Sequence, residues 1–158
     1  MSPIKKQIIV LQGQDKTGKT ETLKILIQKL LSVSTKVADE GKFDSRMRNK
    51  HWDVWAIFEY RGRYIAITTR GDAVRFINND VIDMESEARN QGFEIDTYVC
   101  ATHTYGETVS YVENKAKLLK AELHFYGKAT YTCPVSPNEK VLQTQINDWQ
   151  AGIIFANL

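Results

Sequence analysis

The chain has 158 residues, of which 42% are hydrophobic and 25% charged, and its formal net charge is +2. This length and composition predict a single globular domain over residues 1–158 with a core of its own. The small net charge argues against a nucleic-acid partner or an anionic membrane surface. No apolar run is long enough to cross a bilayer and the N-terminus has no signal-peptide core, so we expect a cytoplasmic protein.

The first patterned segment is a strand, a glycine-bounded loop and a helix in direct succession. Residues 8–11 (Ile-Ile-Val-Leu) predict a buried strand, and residues 20–31 predict a helix with one apolar face. Between them, residues 13–20 read Gly-Gln-Asp-Lys-Thr-Gly-Lys-Thr. This run matches the phosphate-binding pattern Gly-x4-Gly-Lys-Ser/Thr at every fixed position, in the strand-to-helix context that the pattern requires.

The loop of residues 13–20 predicts a site for the phosphates of a nucleotide. Gly13 and Gly18 let the backbone curl so that N–H groups point into one concavity, and the following helix adds its positive dipole end. Lys19 would reach the β- and γ-phosphates, and the Thr20 hydroxyl would ligate Mg²⁺. The other residues expected to border the nucleotide are Gln14, Asp15, Lys16, Thr17 and Glu21.

The polar stretch of residues 32–50 has little periodicity and predicts a long connection or a mobile flap. Arg46 and Arg48 within it are candidates to bind an anionic substrate or the transferred phosphoryl group. A solvated loop of mixed charge is the alternative interpretation.

The rest of the chain alternates strands with helices. Residues 52–60 and 64–69 predict strands joined by a tight Arg61-Gly62 turn, which makes them antiparallel, and we expect the first to be an edge strand. Further strands are predicted at residues 95–102 and 123–132, and helices at residues 74–92 and about 107–120.

The last helix has a predicted start at Ser136, Pro137 and Glu139, which together form a capping box. Its predicted buried stripe is Leu142, Ile146, Trp149 and Ile153. The alternation of elements predicts a three-layer α/β fold with about five mostly parallel strands.

Ligands of open α/β sheets lie beyond the carboxyl ends of the parallel strands. Asp72 follows the strand of residues 64–69 and is a candidate magnesium ligand, although it could instead cap the helix that starts at Ala73. Arg70 beside it could contact a phosphate, and His103, after the strand of residues 95–102, could contact a substrate. Asp53 and Asp96 fall at the beginnings of their predicted strands and are expected at the opposite edge.

The loop and its flanks resemble the P-loop NTPase superfamily, and the layout resembles its nucleoside and nucleotide kinase branch. Asp15 also resembles the loop of thymidylate-kinase-like proteins. The resemblance implies a five-stranded core with the loop strand in the middle, and ATP or another nucleoside triphosphate with Mg²⁺ as cofactors. The candidate catalytic residues are then Lys19, Arg70 and Asp72. The chain departs from the kinases because no arginine follows Arg89, whereas kinases carry lid arginines late in the chain.

Two functions remain open from the sequence. The first is a small enzyme that transfers the γ-phosphate of ATP to an unidentified small-molecule acceptor, or hydrolyses it. The second is a regulatory or assembly module whose nucleotide orders the stretch of residues 32–50 for a protein partner, with a neighbouring copy lending an arginine. A third, weaker interpretation is a loop without catalytic activity that binds another phosphorylated ligand.

Overall fold

The computed structural model describes residues 5–130 and 139–158, and this part of the chain is an α/β structure of six strands and five helices. The strands are β1 (Gln7–Gln12), β2 (Thr35–Asp39), β3 (Trp55–Tyr60), β4 (Arg63–Thr68), β5 (Thr97–Thr102) and β6 (Glu122–Gly127). The helices are α1 (Lys19–Val33), α2 (Phe43–Arg48), α3 (Val74–Gln91), α4 (Glu107–Leu119) and α5 (Glu139–Ala156).

The six strands form one mixed sheet in the order β2-β3-β4-β5-β1-β6. The neighbours β4, β5, β1 and β6 pair in parallel, whereas β3 is antiparallel to both β2 and β4. All the described strands except β3 therefore end at the same side of the sheet, which we call the carboxyl edge. The loop of residues 13–20 leaves β1 at this edge.

Helices cover both faces of the sheet. Alternate residues of β1 point to opposite faces, so each set packs against a different pair of helices. Ile9 and Leu11 pack in one apolar cluster with α1 and α5, whereas Ile8 and Val10 pack in another with α3 and α4. The resulting layering is compatible with a three-layer α/β fold. Among the described residues, no helix combines the length and the apolarity that a bilayer crossing requires.

The prediction of five strands with β3 at the edge is wrong, because the stretch of residues 32–50 contains β2 and α2. β2 lies outside β3 and is only partly buried, so its residues lack the clear alternation by which strands are recognised. Phe43 of α2 is buried in the core. The Lys24 ammonium donates to the carbonyls of Arg46 and Asn49 at 2.8 and 2.6 Å, which ties α2 to α1. The stretch is a structured part of the fold, not a flap.

The predicted buried stripe of the last helix is also wrong. Trp149 is 61% exposed, and the buried positions of α5 include the polar residues Asn147 and Gln150. The Gln150 side chain donates to the Gly127 carbonyl at 2.6 Å and accepts from the Ala129 N–H at 2.9 Å. These bonds orient the helix by polar contacts, which apolar periodicity does not reveal. The predicted cap at Ser136 and Pro137, and the side chain of Glu139, lie outside the described residues.

Candidate functional site

The loop of residues 13–20 forms a tight bend between β1 and α1. Gly18 has a φ of 89° and Lys16 a φ of 59°, so two of its residues adopt the left-handed conformation. The Gly13 N–H donates to the Thr102 carbonyl at 3.1 Å, and the Thr17 hydroxyl donates to the Gln14 carbonyl at 2.8 Å. The start of the loop is thereby fixed against the end of β5. The N-terminus of α1 opens directly behind it, where backbone N–H groups lack helical partners.

Lys19 lies across this bend with its side chain buried. Its ammonium donates to the carbonyls of Gly13 at 2.7 Å and Thr102 at 3.0 Å. Burial lowers the pKa of Lys19, and the nearby charges of Asp72 and Asp15 only partly offset that effect. A buried cation held by neutral carbonyls is stabilised further when an anion comes within reach.

The Asp53 carboxylate lies beside the Thr20 hydroxyl, and its expected position at the opposite edge is wrong. The Thr20 hydroxyl donates to Asp53 Oδ1 at 3.4 Å, and the Thr69 hydroxyl donates to the same atom at 2.7 Å. Because β3 runs antiparallel to β4, its first residues lie at the carboxyl edge. Asp96 does lie at the other edge, where it accepts a bond from the Tyr64 N–H at 2.8 Å.

Two carboxylates and a histidine form a separate cluster beside the loop: Asp15, Asp72 and His103. One candidate ligand atom from each lies within 4.8 Å of the others, so together they could hold a metal ion. His103 bridges the group: its Nδ1 is 3.3 Å from the Asp15 carboxylate and its Nε2 is 2.9 Å from the Asp72 carbonyl. The alternative role of Asp72 as a helix cap is wrong, since α3 begins at Val74 with Ala73 in the cap position.

The candidate arginines have separate surroundings. Arg70 forms an ion pair with Asp80 at 3.0 Å, and Arg46 donates to the Asp53 carbonyl at 3.1 Å. Both border a polar cavity next to Asp53. Arg48 is exposed at the last residue of α2 and has no ion pair with any described residue.

A wide cleft of about 750 Å³ opens between the loop and α5. Lys16, Thr17 and Gly18 form one wall, together with Glu21 of α1. Asn147 of α5 packs so closely on the loop that a side chain at Gly18 would lie 3.1 Å from it. The loop therefore borders the cleft on one side and Asp53 with its cavity on another.

Lys128 is a site residue that the sequence reasoning missed. It follows β6 directly, and a side chain at Gly13 would lie 2.9 Å from its Cβ. Burial lowers its pKa to about 8, although the Glu21 carboxylate raises it. Lys128 could have been found because it directly follows a parallel strand beside β1. The predicted strand extended to residue 132, so Lys128 was expected inside the strand and not at its carboxyl end.

A comparison of the chain with models of protein families, with curated proteins and with solved structures finds no match.

The Lys128 amine is expected to titrate near pH 8 rather than near the ordinary value of 10.5, because burial disfavours its charged form. The measurement is ¹³C NMR of the reductively methylated protein over a pH series. The α-amine titrates in the same range, so the resonance is assigned by its loss in Lys128→Arg. If no resonance titrating near pH 8 disappears in that variant, the described environment of Lys128 is wrong.

Proposed function

We propose that the loop of residues 13–20 binds the phosphates of Mg·ATP and that the protein is a kinase-like phosphotransferase of the P-loop type. The observation that carries the proposal is the Lys19 ammonium, buried over the loop and bonded to the two carbonyls of Gly13 and Thr102. Phosphate oxygens would replace these neutral acceptors with charged ones, and charge-assisted hydrogen bonds are about twice as strong as neutral ones.

Asp53 supports the metal part of the proposal. Mg²⁺ favours hydroxyl, carboxylate, water and phosphate oxygens in an octahedral arrangement. The Thr20 hydroxyl and the Asp53 carboxylate already lie side by side at 3.4 Å, next to the start of α1. In our proposal Thr20 and Asp53 hold the metal, and the carboxylates of Asp15 and Asp72 form a negative flank of the loop.

The residues around the loop favour one orientation of the bound nucleotide. The cleft of about 750 Å³ borders Lys16, Thr17 and Gly18 and is large enough for a base and ribose. Lys128 and Lys19 lie against the Gly13 end of the loop, where their charges would stabilise the phosphates. The γ-phosphate then faces Thr20 and Asp53.

We favour phosphoryl transfer over the regulatory alternative because of the stretch of residues 32–50. The regulatory alternative needs a segment that becomes ordered when the nucleotide binds. In this stretch, β2 already pairs with β3, and hydrogen bonds from Lys24 already tie α2 to α1. A fixed wall beside the metal site suits the positioning of an acceptor, from which most of the catalysis of phosphoryl transfer derives.

Lys19→Ala is expected to weaken the binding of Mg·ATP about 10- to 100-fold, because a charge-assisted contact contributes roughly 1.5–3 kcal/mol. Isothermal titration calorimetry measures the effect. Lys117→Ala, which removes an exposed lysine of α4, is the matched control and should bind as the wild type does. Equal affinities in the wild type and the Lys19 variant would contradict the proposal.

Asp53→Asn is expected to raise the Mg²⁺ concentration needed for half-maximal ATP binding about tenfold, because the amide is a weaker metal ligand but still accepts the threonine hydrogen bonds. Asp72→Asn should change it less than about twofold. Both are measured by titrating Mg²⁺ at constant ATP, with the melting temperature as a check on folding. A larger effect of the Asp72 variant than of the Asp53 variant would contradict this assignment and place the metal at Asp15, Asp72 and His103.

A further inference from the structure

Arg70 lies at the carboxyl edge, shortly after the end of β4. It lines two adjoining spaces of about 200 and 320 Å³, and Asp53 lines both of them. The preceding residue, Thr69, donates its hydroxyl to Asp53 Oδ1 at 2.7 Å, and the same oxygen accepts from the Thr20 hydroxyl. Since the γ-phosphate of our proposed complex faces Thr20 and Asp53, the Arg70 side chain borders the space beside that phosphate.

The guanidinium of Arg70 is held on one side by helix α3. Its Nε lies 3.0 Å from Asp80 Oδ2, and its Cζ lies 5.6 Å from the centre of the Phe76 ring. The Asp80 carboxylate is itself fixed, since its side chain is only 8% exposed and accepts from the Thr68 hydroxyl at 2.7 Å. The Arg70 N–H donates to that same hydroxyl at 3.1 Å. Thr68 and Asp80 thus restrain both the main chain and the side chain of Arg70.

The main chain next to Arg70 packs directly on β5. A Cβ atom at Gly71 would lie 2.7 Å from Ala101 Cβ and 2.8 Å from the Ala101 carbonyl carbon, so this contact needs a residue without a side chain. Ala101 belongs to β5, whose last residue, Thr102, accepts a hydrogen bond from Lys19. Gly71 therefore keeps the main chain of Arg70 close to the strand end that holds Lys19.

The other side of the guanidinium is open to a ligand. Neither amino nitrogen of Arg70 has a hydrogen-bond partner among the described residues, and both retain accessible surface. The amino groups form a planar fork that matches the oxygens of a phosphoryl group. Because the charge of Asp80 offsets that of Arg70, the arginine acts through these directed hydrogen bonds and not through long-range attraction.

We propose that Arg70 is a catalytic residue whose amino groups donate hydrogen bonds to the γ-phosphoryl oxygens in the transition state, with Asp80 and Phe76 positioning it. This inference rests on the proposed phosphotransferase function. During transfer, the acceptor oxygen forms a bond to the γ-phosphorus, and the bond from that phosphorus to the β–γ bridging oxygen breaks. ADP leaves with the electron pair, the acceptor proton passes to solvent, and Arg70 stabilises the negative charge on the transferred group.

An arginine at this position makes the chain self-sufficient. The sequence contains no arginine after Arg89, so a lid late in the chain cannot supply one. The regulatory interpretation borrowed an arginine from a neighbouring copy instead. Arg70 lines the space beside Asp53 from the end of β4 of its own chain, so no second copy is required.

The test uses Mg·ADP with aluminium fluoride, which mimics the transferred phosphoryl group in its transition state and needs no identified acceptor. Isothermal titration calorimetry of the full-length protein measures the Kd for ADP with and without aluminium fluoride, and the Kd for ATP. Aluminium fluoride should tighten ADP binding by the wild type about 100-fold, as a transition-state analogue does. Arg70→Ala should lose at least about tenfold of this gain, while the Kd values for ATP and for ADP alone change less than about threefold. No gain in the wild type, or an equal gain in folded Arg70→Ala, overturns the inference.

Further variants separate the fork from the charge. Arg70→Lys keeps a positive charge beside Asp80 but lacks the planar fork, so it should lose the gain as well, and it serves if Arg70→Ala unfolds. Arg89→Ala removes the same charge from the exposed end of α3 and is the control, which should keep the full gain.

The positioning residues are tested in the same assay. Asp80→Asn and Phe76→Leu should each reduce the gain from aluminium fluoride about threefold to tenfold and leave the Kd for ADP alone unchanged, because a loosened guanidinium loses directed hydrogen bonds. Melting temperatures check that the variants fold, and Phe76 is 46% exposed, so its substitution spares the core. A full gain in both folded variants contradicts the positioning role.

Mixing two variants distinguishes an arginine of the same chain from one lent by a neighbour. Lys19→Ala keeps Arg70 but binds the nucleotide weakly, whereas Arg70→Ala keeps the loop. An equimolar mixture should bind ADP with aluminium fluoride no more tightly than Arg70→Ala does alone. Recovery of the wild-type affinity in the mixture would show that one copy lends its arginine to another, and it would contradict the inference.

The two proposals fail in different ways. If the wild-type protein does not bind Mg·ATP, the phosphotransferase function is lost. If it binds Mg·ATP through Lys19 but the gain from aluminium fluoride is independent of Arg70, only the inference about the arginine is lost.

Discussion

The architecture of the carboxyl edge depends on one buried ammonium group. Lys19 lies beneath the surface at the start of α1 and is held by the carbonyls of Gly13 and Thr102. Burial removes water from this cation and thereby lowers its pKa. No described residue forms an ion pair with Lys19 that would compensate for the lost hydration. Such a group is costly in a protein without a ligand, and an anion in the loop would offset that cost. In our proposal, the phosphates of the nucleotide supply that anion.

The direction of β3 determines what faces that cation. β3 runs opposite to the other five described strands, so its beginning lies at the carboxyl edge, where Asp53 meets Thr20 and Thr69. Val54 and Trp55, which follow Asp53, line the polar cavity, and the Trp55 N–H donates to the Glu40 carboxylate at 2.7 Å. One reversed strand thus joins the candidate metal position to the polar cavity beside Asp53.

The local parts of this site could be predicted from the sequence, and the tertiary parts could not. The loop, β1 and α1 are contiguous, so residues 13–20 and their flanks contain their own signal. Asp53 is an exception, because the antiparallel hairpin that the sequence predicts already implies its edge: the beginning of an antiparallel strand lies at the carboxyl ends of its parallel neighbours. Lys128 and Asn147 reach the loop from β6 and α5, far along the chain, and no periodicity encodes such contacts. β2 and α2 carry too few apolar residues for their pattern to be recognised.

The central claim is that the loop holds a triphosphate. A crystal structure of the full chain with Mg²⁺ and a non-hydrolysable ATP analogue tests it most directly. The account predicts β- and γ-phosphates within the loop, with the Lys19 ammonium moved from the Gly13 carbonyl onto their oxygens and the metal bound by the Thr20 hydroxyl. An empty loop at a saturating analogue concentration, with Lys19 still bonded to both carbonyls, would contradict it.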